Sequence, residues 1–362
     1  MLEIWDFIDS VFYIKKMQQI DVKNIKKLLI RSTNWIGDAV MTTPAVRAIR
    51  KGFPNAHISL LAKPWVAPVF EQSDHIDRLL IYDGENRHKG FFGKFRLARD
   101  LEKYDFDAAI LLQNAFEAAL ISFLARIPIR IGYSRDARRL LLTHAVPCTN
   151  EIKAKHQTEY YLNILHRIGI ESDNRNLYLK LNQNDRFLAD KILSEHHLSL
   201  DDKIIGINPG ATYGPAKQWS PDRYARLADR IHASTGVRII IFGGPGDQTL
   251  GLKISEKMRH RPLDLSGKTS LGEAMALIEK CDLFITNDSG LMHVAAALDV
   301  PLVAVFGSTN PVATGPLGSH SRVVRAAVPC SPCLKSECPE GHLKCMDLID
   351  VDQVFDAAKE ML

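Results

Sequence analysis

Four stretches hold most of the residues able to do chemistry. "TNDSGLMH", Thr286 to His293, ends what reads as a buried strand with Asn-Asp-Ser-Gly. Asp288 or Ser289 is suited to cap the following helix, and Gly290 lets another molecule approach the backbone. The N–H groups of Ser289, Gly290 and Leu291 would then bind an anion, helped by the helix dipole. Asp288 would face a ligand's hydroxyls, and His293, one turn in, would reach the same ligand. The same residues also describe a plain capped helix with a structural histidine.

"NPGATYGPAKQW" is the second stretch. Its glycines, Thr212, Tyr213 and Lys217 follow a strand and suit a pyrophosphate: the loop supplies N–H donors and the lysine a point charge. A surface turn with an exposed lysine is the alternative. "RSTNWIGDAVMTTPAVRAIRKGFP" places one carboxylate, Asp38, just past another strand, after Asn34, Trp35 and the tight-turn residue Gly37. Asp38 is equally suited to cap a helix, and Pro44 implies a kink or a late helix start. Two look-alikes fail on spacing. "GGPGD" lacks the GxGxxG interval of a dinucleotide fold, and "SGKTS" has Pro262 where a P-loop needs its leading glycine.

The fourth stretch, "PCSPCLKSECPEGHLKC", spaces Cys330, Cys333, Cys338 and Cys345 as C-x2-C-x4-C-x6-C. Without a secretion signal a disulfide framework is not expected. Four neighbouring thiols imply either a structural zinc or reduced, unliganded cysteines, and the intervals match no common zinc template.

These residues need elements to position them. Short β-branched runs alternate with helical periodicity along the chain, predicting parallel sheets covered by helices. "KLLIRS" empties into "TNWIGDA" as "KIIGINPG" empties into "ATYGPAKQW", predicting two similar doubly wound domains joined near Leu177 to Asn184. The length of 362 residues agrees with two domains, and 46% hydrophobic against 24% charged residues is a globular composition. A formal net charge of +4 permits anionic substrates or lipid head groups and makes no case for nucleic acid. No apolar run reaches the roughly 20 residues that span a bilayer. The first twenty residues read as an amphipathic helix that packs on the protein or lies on a membrane surface, not as a signal peptide, and the expected compartment is the cytoplasm.

Taken together, "NWIGDAVMTTPAVRAIRKGFP", "NPGATYGPAKQW", "DLSGKTSLGEAMALI" and "NDSGLMHVAAALDVPLVAVFGSTNP" resemble glycosyltransferase family 9, in order over residues 27 to 318. The "NWIGD" form is that of the second of its two lipopolysaccharide heptosyltransferase branches. The resemblance implies an α/β, B-type architecture: two Rossmann-like domains facing across a cleft, residues 1–178 for the acceptor and 179–345 for the nucleotide sugar, with a helix in 346–362 returning to the first domain. The implied donor is ADP-L-glycero-β-D-manno-heptose. The implied acceptor is a heptosyl-Kdo2-lipid A core precursor, met at the inner face of the inner membrane.

Carried over residue by residue, Asp38 takes the family's base position, with Asn34, Trp35 and Gly37 in the acceptor-side loop. Thr212, Tyr213 and Lys217 would surround the diphosphate. Asp288, Ser289, Gly290 and His293 match the donor loop, and Asp247 lies near the ribose contact. The family implies an inverting single displacement that needs no catalytic metal, so a metal on the cysteines would be structural. Competing expectations are another nucleotide-sugar enzyme of the same architecture, an epimerase or hydrolase for example, and a non-catalytic nucleotide-sugar-binding protein.

Overall fold

The computed structural model describes residues 24–172, 174–199 and 202–362. The expected N-terminal amphipathic helix lies outside them. The described chain divides into two compact units. The first holds the described residues up to Asn34, with Thr42–Ala67 and Ser73–Arg175; the second holds Trp35–Met41, Pro68–Gln72 and Asn176–Leu362.

In the first unit the strands β1 (Lys27–Arg31), β2 (His57–Ala62), β3 (Arg78–Ile81), β4 (Ala108–Leu111), β5 (Ile129–Tyr133) and β6 (His144–Val146) form one sheet in the order β3-β2-β1-β4-β5-β6. Every pairing is parallel, with Leu29 opposite Ser59 on one side and Ala109 on the other. Helix α1 (Ile36–Met41) follows β1 but counts with the second unit. The helices of the first unit are α2 (Thr43–Gly52), α3 (Gly90–Glu102), α4 (Phe116–Leu124), α5 (Asn150–Ala154) and α6 (Gln157–His166). Leu29, Leu61 and Leu111 meet Leu97 and Leu101 of α3 and Ile121 of α4 in one buried cluster. Each such side chain contributes about 1.5–3 kcal/mol by leaving water.

The second unit runs α7 (Gln183–Glu195), β7 (Ile204–Asn208), α8 (Pro221–Thr235), β8 (Arg238–Ile241), α9 (Gln248–Lys257), β9 (Leu263–Asp264), α10 (Leu271–Glu279), β10 (Leu283–Asn287) and α11 (Gly290–Ala297). It continues through β11 (Leu302–Phe306), α12 (Pro311–Thr314), β12 (Ser321–Arg325), α13 (Lys344–Asp347) and α14 (Val351–Met361). Its sheet, β12-β11-β10-β7-β8-β9, is again all parallel and, counted from its own first strand, repeats the order of the first. At the centre of β7, Gly206 is required by space. A Cβ there would stand 2.6 Å from the Phe284 ring and 2.9 Å from that of Phe242.

The fold departs from expectation at three places. The last helix, α14, is grouped with the second unit. Val354, Phe355 and Ala358 are buried in the second unit's own core with Tyr224 and Leu227 of α8, because that stripe continues the apolar surface over the sheet. The segment carrying Asp38 is grouped with the second unit and not with the first, where the resemblance implied it would lie. β6 and β12 are absent from the sequence reading. β6 has three residues, and β12, "SRVVR", is an edge strand with no buried residue, so neither leaves a strong apolar signal. In agreement with its rejection as a P-loop, "SGKTS" is a helix start. The Ser270 Oγ accepts from Glu273 N at 3.2 Å and Glu273 Oε2 accepts from Ser270 N at 2.7 Å, the reciprocal arrangement of a capping box. Among the described residues no helix is long and apolar enough to cross a membrane.

Candidate functional site

The site is built at the carboxyl ends of β7 and β10, the two central strands, where their order reverses and open α/β sheets bind ligands. β10 is buried throughout and delivers Asp288 and Ser289 at its end. Ser289 is the cap of α11, its Oγ accepting from Met292 N at 3.4 Å. Asn208, at the end of β7, donates to Ser289 Oγ at 2.8 Å and to Thr286 Oγ1 at 3.2 Å, so the cap is held from the neighbouring strand. Asn287 ties the two loops together. Its Nδ2 donates to Pro209 O at 2.6 Å while its Oδ1 accepts from Trp219 N at 3.2 Å and Tyr224 Oη at 3.1 Å. Burial pushes the Tyr224 hydroxyl far above its ordinary range, which keeps it a neutral donor.

The loop after β7 turns at Pro215–Lys217 and brings the Lys217 Nζ to 2.7 Å from Asp288 Oδ2. Both side chains are largely withdrawn from water, at 13% and 5% exposure, so this pair is screened far less than a surface one. The Tyr213 ring lies 4.7 Å from the ammonium, and Thr314 Oγ1 donates to the same Asp288 oxygen at 3.4 Å. Asp288 therefore holds the lysine instead of standing free for a ligand's hydroxyls. The first N–H groups of α11 lie beside it, and helix geometry gives such groups no intrahelical acceptor. Chemically the arrangement suits an anion: amides at a helix start, plus an ammonium that a stronger anion can draw off a carboxylate.

The other expected residues divide. Gly37 and His293 are brought to this same place. A Cβ on Gly37 would stand 2.9 Å from the His293 ring and 3.3 Å from Gly290 Cα, and one on Gly290 would stand 3.2 Å from Ile36 Cβ. Two glycines facing each other let α1, which carries half-buried Asp38, rest on the start of α11. His293 is buried at that contact. Trp35 is 63% exposed, a large apolar surface next to Asp38. Thr212 and Tyr213 are exposed on the loop, with Tyr213 Oη donating to Leu334 O at 2.7 Å. Asp247 braces loops: its Oδ2 accepts from Gly244 N at 2.8 Å, and its carboxyl group fills the space over Gly210. Asn34 belongs to the first unit, where its Oδ1 accepts from Arg31 at 2.8 Å and its carbonyl from Trp65 Nε1 at 2.8 Å.

A second cluster was missed by the sequence reading. At the carboxyl edge of the first sheet, Tyr82 Oη donates to Glu117 Oε1 at 2.7 Å, Lys94 lies 2.7 Å from Glu117 Oε2, and the Lys63 ammonium sits 3.3 Å from the Tyr82 ring centroid. Burial brings the adjoining Arg31 guanidinium down to about 10, against the opposing pull of Glu117. Lys63 is lowered by burial and then by Arg31, while Glu117, although raised by burial, is held below its ordinary value by Lys94 and Tyr82. Three cations around one carboxylate make this edge electropositive. The signal is a basic residue closing each of two apolar strands, Arg31 after "LLI" and Lys63 after "SLLA".

With this geometry in view, comparison with known proteins becomes specific. The model of glycosyltransferase family 9 (heptosyltransferase) matches residues 94–344. Lipopolysaccharide heptosyltransferase 2 of Salmonella typhimurium is 29% identical over 347 residues, 93% of this chain and 98% of that one. The crystal structure of a family 9 glycosyl transferase from Veillonella parvula superposes with a TM-score of 0.87 at 30% identity, covering 96% of this chain and 99% of that one. The Escherichia coli ADP-heptose lps heptosyltransferase II gives 0.79 at 28% identity, covering 92% and 98%. The two parallel sheets are those of the B-type glycosyltransferase fold, and the chain belongs to glycosyltransferase family 9.

Proposed function

We infer that this glycosyltransferase moves L-glycero-D-manno-heptose from ADP-heptose to the heptosyl-Kdo2-lipid A inner core of lipopolysaccharide, by a single displacement that inverts the anomeric centre. The observation that supports the mechanism is the contact of α1, the helix that carries the one carboxylate of "NWIGD", on the start of α11. Asp38 takes the proton from the acceptor hydroxyl as that oxygen attacks the anomeric carbon. The bond to the diphosphate breaks, and the charge growing on departing ADP is met by the N–H groups of Ser289, Gly290 and Leu291. Lys217 turns from Asp288 toward the phosphates at the same time, giving stabilisation that increases with the charge. Amides and ammonium supply this charge compensation, so the step draws on no catalytic metal. Thr212 and Tyr213 border the diphosphate, and Asp247 shapes the loop on the ribose side.

The electropositive edge of the first unit suits an anionic core acceptor, with Lys63 and Lys94 as its cations. Membrane contact falls to α3. Phe91, Phe92 and Phe95 are exposed by 65%, 81% and 43% and cluster edge to face, beside Lys89, Arg96 and Arg99. Aromatic rings with basic neighbours favour an anionic lipid surface, which supports the reading that the enzyme works at the cytoplasmic face of the inner membrane.

Calorimetry of ADP-heptose against UDP- and GDP-sugars tests the donor, with binding confined to the ADP sugar as the expected result. Donor incubated without acceptor should release little ADP. Rapid release, or turnover to an altered sugar nucleotide, would point to a hydrolase or an epimerase instead.

A further inference from the structure

The tail cysteines, which the transfer reaction leaves unused, converge in space. Cys330, Cys333, Cys338 and Cys345 line one small cavity together with Ala216, Ser308, Glu340 and His342. All four are free thiols, graded from exposed Cys330 to buried Cys345. The backbone is shaped around one of them: Leu343, Glu340, His342 and Gly341 point N–H groups at the Cys338 sulfur. His342 does not compete as a ligand in this arrangement, since its Nδ1 accepts from Lys344 N at 3.1 Å, which leaves the ring proton on Nε2. Among the described residues no three or more His, Cys, Asp or Glu side chains are grouped so as to hold a metal ion, and closing a site here would require the thiols to turn inward.

We propose that these four cysteines bind a thiophilic divalent cation, zinc in the first place, as a structural tetrathiolate site that fastens the tail against the Lys217 loop. Binding forms four metal–sulfur bonds and releases the four thiol protons, with no redox change. The cation would act through contacts already present. Ala216, the neighbour of Lys217, lines the cavity, and its N–H donates to Ser336 O at 3.0 Å. Tyr213 reaches Leu334 O, whose own N–H donates to Ser308 O at 2.8 Å, and Ser331 Oγ donates to Gly307 O at 2.7 Å. The segment between the first and last cysteine is thus bonded to the loop that aims the ammonium and to the end of β11. With few buried apolar groups of its own, it is a stretch that a metal would stabilise more than packing can.

The test is metal analysis of the full-length protein purified under reducing conditions, with thiol titration before and after chelation. The expected result is one zinc or iron ion per chain and four thiols that become reactive only when the ion is removed. Cobalt(II) exchanged into the site should give the sulfur-to-metal charge-transfer absorption of tetrahedral thiolate coordination. Cys330→Ser, at an exposed position that tolerates the change, should lose the ion, whereas Cys148→Ser should keep it. Loss of the ion should raise the KM for donor more than it lowers kcat, a readout that rests on the proposed reaction, whereas stoichiometry does not. Absence of bound metal both as purified and after anaerobic incubation with zinc would overturn the proposal, as would full retention by Cys330→Ser.

Discussion

The two sheets share one strand order and place a loop at the same point, after the first strand, yet they use it differently. After β7 the loop stays with its own sheet, and its lysine pairs with the aspartate that ends β10. After β1 the chain leaves: Trp35–Met41 packs on α11, and the first sheet's edge is filled instead by Arg31, Lys63, Tyr82 and Glu117. Topology supplies the position of a site, and the side chains at the strand ends decide what occupies it. In the second unit a helix start lies beside one ammonium paired with a carboxylate, the arrangement proposed to take the diphosphate. In the first, three cations surround a carboxylate, the arrangement proposed for the anionic acceptor.

The sharpest way to break this comparison is Asp38→Asn. If α1 serves the second unit's site as the base, kcat should fall about 10²–10⁴-fold while the donor binds as before in calorimetry. A rate near wild type would return Asp38 to a capping role. Next in size is Lys217→Ala. It strands the buried Asp288 carboxylate, and losing one partner of such a pair costs about 3–5 kcal/mol. Adding Asp288→Ala should restore most of the melting temperature but not donor affinity, separating the pair's structural and binding parts.

The first unit's edge should respond in the opposite substrate. Lys63→Gln is expected to raise the KM for acceptor about 10–100-fold, the worth of a charged hydrogen bond of about 1.5–3 kcal/mol, and to leave the KM for donor unchanged. Gly37→Ala tests the glycine contact: overpacking there costs about 1–3 kcal/mol, and kcat should fall through displacement of Asp38. The smallest effect is a pH dependence in the first unit. Lys103, with His88 and Arg87, holds the Asp100 carboxyl down to about 2 against the opposing pull of burial. A depressed carboxylate stabilises the fold above its ordinary value of 3.8 and loses that contribution as pH falls toward about 2. Thermal melts of Asp100→Asn and wild type should therefore differ at neutral pH and converge in acid.

Much of this was legible in the chain. The apolar runs and the helical periodicity between them specify parallel strands and their covering helices, because burial on both faces leaves no other pattern. Ser289 and Gly290 after a buried strand announce a helix start able to take an anion, and Pro44 marks the break before α2. These are local properties, written in the φ/ψ preferences and polarity of neighbouring residues. What only the tertiary structure decided is how distant residues pair. Asp288 is spent on Lys217, 71 positions away; α1 lies on α11 through Gly37 and Gly290; α14 closes the second core; and Lys63 reaches Tyr82 and, through it, Glu117. No spacing rule encodes such contacts, because each depends on which surfaces remain uncovered once the sheets have formed.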